Sequence, residues 1–354
     1  MITRYIDTGS TTGGNGTTNA VTGANRAYVS LSEAEAAEQA DLTATGLNDT
    51  MEFICDRTNG GGTDSTAVTI DGWTTDSTHY LTIKTNTSNM HAGQFDSAKY
   101  YLQRSVGGSA IGIAESFLRV EGMQVSVDTT SGTALGIVEA GVPWSGVRVT
   151  NCIVRATVAA VVTAIGSQNN SNGAVTNIIA NNLVYGFTGS GAYGIYCRHN
   201  NGSVKTLYYN NTVYNCATGI RCRDVGGSGT TSIYARNNLV IGCTTAYLES
   251  SPLAVATYNA YDTGSDPGTN GIDLSASADS AIFVDATTSN FHLVAGSTAA
   301  DVGQDLSADA DYAFSTDIDG QTRSGTWDVG ADEIVSAPPT ESDIVPPART
   351  IRHR

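Results

Sequence analysis

A solenoid of short parallel strands, a parallel β-helix, is the fold class this sequence predicts, and three observations predict it. A five-residue unit recurs as Asn182-Leu-Val-Tyr-Gly186, Asn211-Thr-Val-Tyr-Asn215 and Asn238-Leu-Val-Ile-Gly242, with Asn151-Cys-Ile-Val154 as a weaker copy, at spacings of 31, 29 and 27 residues. A second ladder, Gly136-Ile137, Ala164-Ile165, Gly194-Ile195, Gly219-Ile220 and Ala246-Tyr247, keeps nearly the same period, with steps of 28, 30, 25 and 27. Each period holds only short β-rich pieces broken by Gly, Asn or Ser, with no stretch long enough for a crossover helix. Such strands must pair with their own copies in the next repeat, about 4.8 Å away.

Composition agrees. Of 354 residues only 15% are charged and 39 are Gly, too much glycine for a helical protein, while the Val, Ile and Tyr content is too high for a disordered one. Lys and Arg number 18 against 34 Asp and Glu, a net charge of −16. That balance argues against a general nucleic-acid surface, which needs clustered cations to displace counterions. No apolar run reaches the roughly 18 residues of a membrane span, and the start MITRYIDTGS lacks the apolar core of a signal peptide. A soluble protein made in the cytoplasm without an export signal, and with no membrane partner, is expected.

Taken in chain order, residues 1–50 read as an opening segment and cap. Ser30-Leu-Ser-Glu33 fits a capping box that starts a helix over about 31–41, with Leu31, Ala34, Ala37 and Leu42 on one side to cover the open first coil. Residues 51–280 read as the coils, the first of them between Cys55 and Arg104. Side chains alternate along a strand, so Val184, Val213 and Val240 should form one inward stack and Ile137, Ile165, Ile195 and Ile220 another. The asparagines fall at bends, where Asn tolerates left-handed backbone angles and its amide can bond the next coil's Asn. Cys197 should lie over Cys222 and Cys216 over Cys243. Free thiols are the expected state of all six cysteines, although coil spacing permits a bridge. The period fades after Glu249, and residues 281–334 read as a closing cap. Residues 335–354 carry four of the seven prolines, which block ladder hydrogen bonds, so they read as an extended anchoring tail. Ile344, Val345 and Ile351 are its apolar anchors and Arg349, Arg352 and Arg354 its charges, suited to docking on another protein.

The run GIYCRHNNGSVKTLYYNNTVYNCATGIRCR resembles the repeats of the right-handed parallel β-helix superfamily, which includes pectate lyases, many polysaccharidases and phage tail spikes. The ending FHLVAGSTAADVGQDL followed by DIDGQTRSGTWDVGADE is similar to a terminal segment of that group, with Thr298 where the group has Pro before Ala299, and Val329 for Ile. The opening RYIDTGSTTGGNGTTNAVTGANRAYVSLSEAEAA resembles its first strand, Gly/Asn loop and short helix. The resemblance spans most of residues 1–334. It implies the right-handed form of the fold and, as in spikes, a chain that could assemble as a homotrimer. It is nearly silent on activity, since one scaffold hosts many functions.

Candidate chemistry is sparse. Polysaccharide hydrolases on such a scaffold use two acids several ångströms apart. Asp224 is the single weak catalytic candidate, because no second acid stacks on it, and Glu139 and Glu249 lie four coils apart, ~19 Å. Solvated loop carboxylates explain these acids as well. A lyase would need a cationic base beside clustered calcium ligands. Arg198 and Arg223 fall one above the other with His199 and Arg221 close by, a cluster able to bind an anionic sugar or an acidic protein, or simply a surface column relieved by water. Asp317-Ile-Asp319-Gly320 and Asp305, Asp309 and Asp311 look like fragments of calcium loops but lack the full pattern, and the six cysteines have no CxxC pair or Cys/His spacing for structural zinc, so Asp-rich turns are expected, with no metal site and no cofactor beyond a weak case for calcium. The functional expectation is a non-enzymatic virion structural protein of a tailed bacteriophage, a head decoration protein or a fibre or spike component. It would dock on other virion proteins through residues 335–354 and could bind cell-surface polysaccharide. The alternative is a glycan hydrolase or lyase on the same scaffold; a bacterial adhesin is a third class.

Overall fold

The computed structural model describes residues 1–130, 134–139, 146–160, 163–169, 176–199, 205–224, 232–249 and 253–335. The tail residues Ile344, Val345, Arg349, Ile351, Arg352 and Arg354 lie outside this set.

Three parallel sheets carry the fold. A nine-stranded sheet runs from Ile2–Asp7 through Met51–Asp56, Leu81–Thr85 and onward to Val255–Thr257; sheets of eight and seven strands complete the faces of the coil. In each, a strand pairs with its equivalent one turn later, the arrangement of a right-handed parallel β-helix. Registers confirm the expected stacks. Val125, Val154, Val184, Val213 and Val240 follow one another in the eight-stranded sheet, every one fully buried. Ile137, Ile165, Ile195 and Ile220 do the same in the seven-stranded sheet. Each such side chain contributes about 1.5–3 kcal/mol of burial. The small residue before each isoleucine has a steric cause: a Cβ on Gly219 would collide with Val240 Cγ1 from the neighbouring sheet.

The paired asparagines divide two tasks. Asn151, Asn181, Asn210 and Asn237 take left-handed angles, φ 51–56°. The next residue turns its amide inward. Asn182 Nδ2 donates to Asn211 Oδ1 at 3.0 Å, Asn211 to Asn238 at 2.9 Å, and Asn238 to Asn259 at 2.9 Å, while each also donates to a strand carbonyl of the preceding coil. This corrects the alignment of the weak copy: Ile153 pairs with Leu183, so Asn151 matches Asn181, and Cys152, not Asn151, stands at the ladder position. Cys197 does pair with Cys222, and the Cys216 amide donates to Cys243 Sγ at 3.4 Å. All six cysteines are buried, and no disulfide joins Cys216 to Cys243.

The helix spans Leu31–Glu38, shorter than expected. Ser30 Oγ accepts from Glu33 N at 3.1 Å, and Glu33 answers by accepting from Val29 N rather than from Ser30. Leu31, Ala34 and Glu35 are buried, but Ala37 is exposed, contrary to the expected face. Beyond Glu38 the chain is captured by a coil: Thr74 N donates to Ala40 O and Leu42 N to Thr74 O.

The segment read as a closing cap lies along the flank of the coils instead. The outward amides of the left-handed asparagines hold it: Asn181 Nδ2 donates to Thr316 O at 2.7 Å, Asn210 to Gly330 O at 3.1 Å and Asn237 to Gln304 O at 2.7 Å. Arg323, its side chain wholly buried, donates to Glu333 Oε2 at 3.1 Å, to Asn181 Oδ1 at 3.2 Å and to the Ala331 carbonyl at 2.8 Å. Trp327 seals an apolar patch with Ile178, Leu207 and Tyr209.

Candidate functional site

Where that flanking segment stops, the outer face of the nine-stranded sheet opens into a groove of about 270 Å³ lined by Tyr80, Phe117, Arg119, Arg148, Ile178 and Asp311, among others. Strand alternation places its cations. In Leu118–Glu121 the buried Leu118 and Val120 turn Arg119 outward, and in Arg148–Thr150 the buried Val149 does the same for Arg148. The two arginines are register partners in adjacent coils. Arg119 Cζ lies 3.4 Å from the centroid of the Tyr80 ring, and Arg148 Cζ lies 5.9 Å from that of Tyr312. Among the described residues neither makes an ion pair, since the groove's Asp311 is held by Lys205 at 2.6 Å. Burial, and then the like charge of Arg119, push the Arg148 pKa down. Two half-buried guanidinium groups in no direct ion pair among the described residues, with Glu121 acting on Arg148 only through space, and set on aromatic faces, are equipped to take carboxylate or sulfate oxygens by bidentate hydrogen bonds.

The cationic column expected from the sequence is present on another face. Arg198 and Arg223 are register partners in the seven-stranded sheet, as are Tyr196 and Arg221. Arg221 lies over the Tyr193 and Tyr196 rings, 4.9 and 5.8 Å from their centroids, and the two rings stack 4.9 Å apart. The backbones of His199 and Asp224 are also paired; their side chains lie outside the described residues, as does that of Glu139. Arg119 and Arg148 were not among the expected site residues. Their signal is an Arg-Val pair repeated after 29 residues, one coil period, on the strand of each coil that neither repeat ladder covers.

The Asp-rich turns use their carboxylates locally. Asp317 Oδ1 accepts from the Asp319 and Gln321 amides, Asp305 from Ser307, and Asp309 from Asp311 and Tyr312, while Arg236 pairs with Asp309. A separate cluster brings together His292, Asp319 and Asp332. Burial pushes the Asp332 carboxyl up to about 6, and the Asp319 carboxylate raises the His292 pKa.

No family model matches the chain, and no curated protein matches it. Among solved structures it is similar to the crystal structure of pectate lyase Pel9A, at 14% identity over 94% of this chain and 96% of that one, with a TM-score of 0.38. The parallel β-helix assignment rests on the three stacked sheets themselves.

Proposed function

We propose that this protein is a non-enzymatic β-helical structural protein that binds an anionic glycan on the outer face of its nine-stranded sheet. One observation supports this reading above the others: Arg119 and Arg148 stand one coil apart over Tyr80 and Tyr312 with no direct ion pair among the described residues. Tyrosine rings offer faces to sugar rings, and paired guanidinium groups at coil spacing match acidic groups on successive sugars. The Tyr193, Tyr196 and Arg221 cluster would extend such a surface to a second face. The setting proposed is the virion of a tailed bacteriophage, as a head decoration or a fibre or spike component anchored through residues 335–354; the Pro/Arg composition of that tail supports it.

Retention on immobilised polysaccharides tests the site. Alginate and pectate should retain the full chain at low salt, neutral dextran should not, and the double variant Arg119→Ala/Arg148→Ala should pass through all three. Equal retention on dextran, or no loss in the double variant, would defeat the reading, and shortening of the glycan in the same experiment would favour the hydrolase or lyase alternative. For the setting, deletion of residues 335–354 should release the protein from purified particles; a protein absent from particles altogether would end that part of the proposal.

A further inference from the structure

Three side chains meet where the flanking segment folds back on the coils: His292 from the strand Asn290–Leu293, Asp319 from the turn after Asp317, and Asp332 beyond Trp327. Their ligand atoms all lie within 4.8 Å of one another. Asp332 is 6% exposed, and the side chains of Asp319 and His292 are 11% and 26% exposed.

The protons on His292 can be placed by hydrogen-bond logic. Its backbone N–H donates to Asn290 Oδ1 at 3.3 Å, which identifies that atom as the amide oxygen, and ring Nδ1 lies 2.6 Å from the same oxygen. An oxygen of this kind only accepts, so Nδ1 carries a proton, and in a neutral imidazole Nε2 is then a bare lone pair. Yet Nε2 lies 2.9 Å from Asp319 Oδ2. A lone pair facing a carboxylate needs a cation between or beside them, either a second proton or a metal ion. The other carboxylate oxygen bears on the choice. Asp319 Oδ1 is buried without a hydrogen-bond partner, and it faces Gly93, where a Cβ would collide with both Oδ1 and His292 Nε2. Gly93, at φ +66°, thus packs its backbone directly against these two ligand atoms, where no side chain would fit. A proton on Nε2 would satisfy His292 and leave Oδ1 an orphan, whereas a divalent ion would engage Nε2 and the Asp319 carboxylate together, with Asp332 drawn in from within 4.8 Å.

We propose that His292 Nε2, Asp319 and Asp332 bind a divalent transition-metal ion, zinc foremost. One imidazole and two carboxylates suit zinc and its neighbours, while calcium prefers six to eight oxygens. The Asn290 bond to Nδ1 is the orienting contact that metal-bound histidines use. The ion would staple together three successive turns of the flanking segment beside the buried His91, whose Nε2 lies 2.7 Å from the Asn151 carbonyl oxygen.

Equilibrium dialysis of the chelator-treated full chain against zinc chloride, with metal analysis and a thermal melt, tests this. The wild type should retain one zinc per chain and melt higher with it; Asp319→Asn and His292→Gln should lose both effects, and Asn290→Ala should weaken binding about 10- to 100-fold. Should those variants fail to fold, cobalt(II) bound to the wild type still decides: ligand-field bands without a sulfur charge-transfer band are expected. Zinc retention equal in wild type and Asp319→Asn, a sulfur band, no bound metal, or nitrogen NMR showing both His292 ring nitrogens protonated in the presence of zinc would each overturn the proposal.

Discussion

Asn211 shows how much a single side chain carries in a stacked coil. Its Oδ1 accepts from the Asn182 backbone and side chain, and its Nδ2 donates to the Ile179 carbonyl and to Asn238 Oδ1, all fully buried. Truncation strands several buried groups at once, so Asn211→Ala should cost about 3 kcal/mol or more in a urea titration. Asp64 makes a different prediction. Burial raises its pKa above 3.8 even though it accepts from Leu31 N at 3.0 Å and the Tyr100 hydroxyl at 2.7 Å. The folded chain therefore holds this proton more tightly than the unfolded chain, and stability falls as pH rises from about 4 through the raised folded value. Asp64→Asn should remove that slope: the melting temperature of the variant relative to wild type should rise between pH 4 and pH 7. A constant difference across that range would contradict the assignment.

At the scale of elements, the helix Leu31–Glu38 was announced by its capping box, and Ser30→Ala should cost about 1 kcal/mol in the same titration. Its end was not legible. Ala37 fits the apolar pattern, but the chain after Glu38 is drawn into bonds with Thr74, a partner 34 residues beyond Ala40 that no local signal names. The strands behaved in the opposite way. Their identity and stacking followed from the spacing of Val and Ile because side-chain alternation and coil period are local rules. Only the weak Asn151 copy slipped by one, since matching its asparagine to Asn182 ignored the backbone register that pairs Ile153 with Leu183.

For the molecule as a whole, the flanking segment is held by a buried cation among acids. Burial lowers the Arg323 pKa while Glu333, Asp317 and Asp332 oppose that shift. Removing one member of such a buried network leaves its partners uncompensated, so Arg323→Met should destabilise the chain by about 3–5 kcal/mol and expose residues 281–335 to protease first. The interior makes a second global prediction. Burial pushes Cys152 up to about 12 and Cys222 well above 9, and the other four thiols are buried as well. A native sample at pH 8 should resist a thiol reagent, with all six cysteines reacting only after unfolding.

Period, alternation and the asparagine pairs determined the parallel coil by themselves, because a repeat that stacks on its own copy writes each contact into the sequence again at a fixed interval. The same rule placed Arg198 over Arg223. What joins different parts of the chain was decided by tertiary structure alone. Arg119 and Arg148 became part of a groove only because Asp311, from the distant flanking segment, borders it, with the Tyr312 ring beside Arg148. Likewise His292, Asp319 and Asp332 meet only because residues 281–335 fold back along the flank, where the outward amides of Asn181, Asn210 and Asn237 receive them. Those contacts occur once and have no period, so the sequence had no second copy in which to show them.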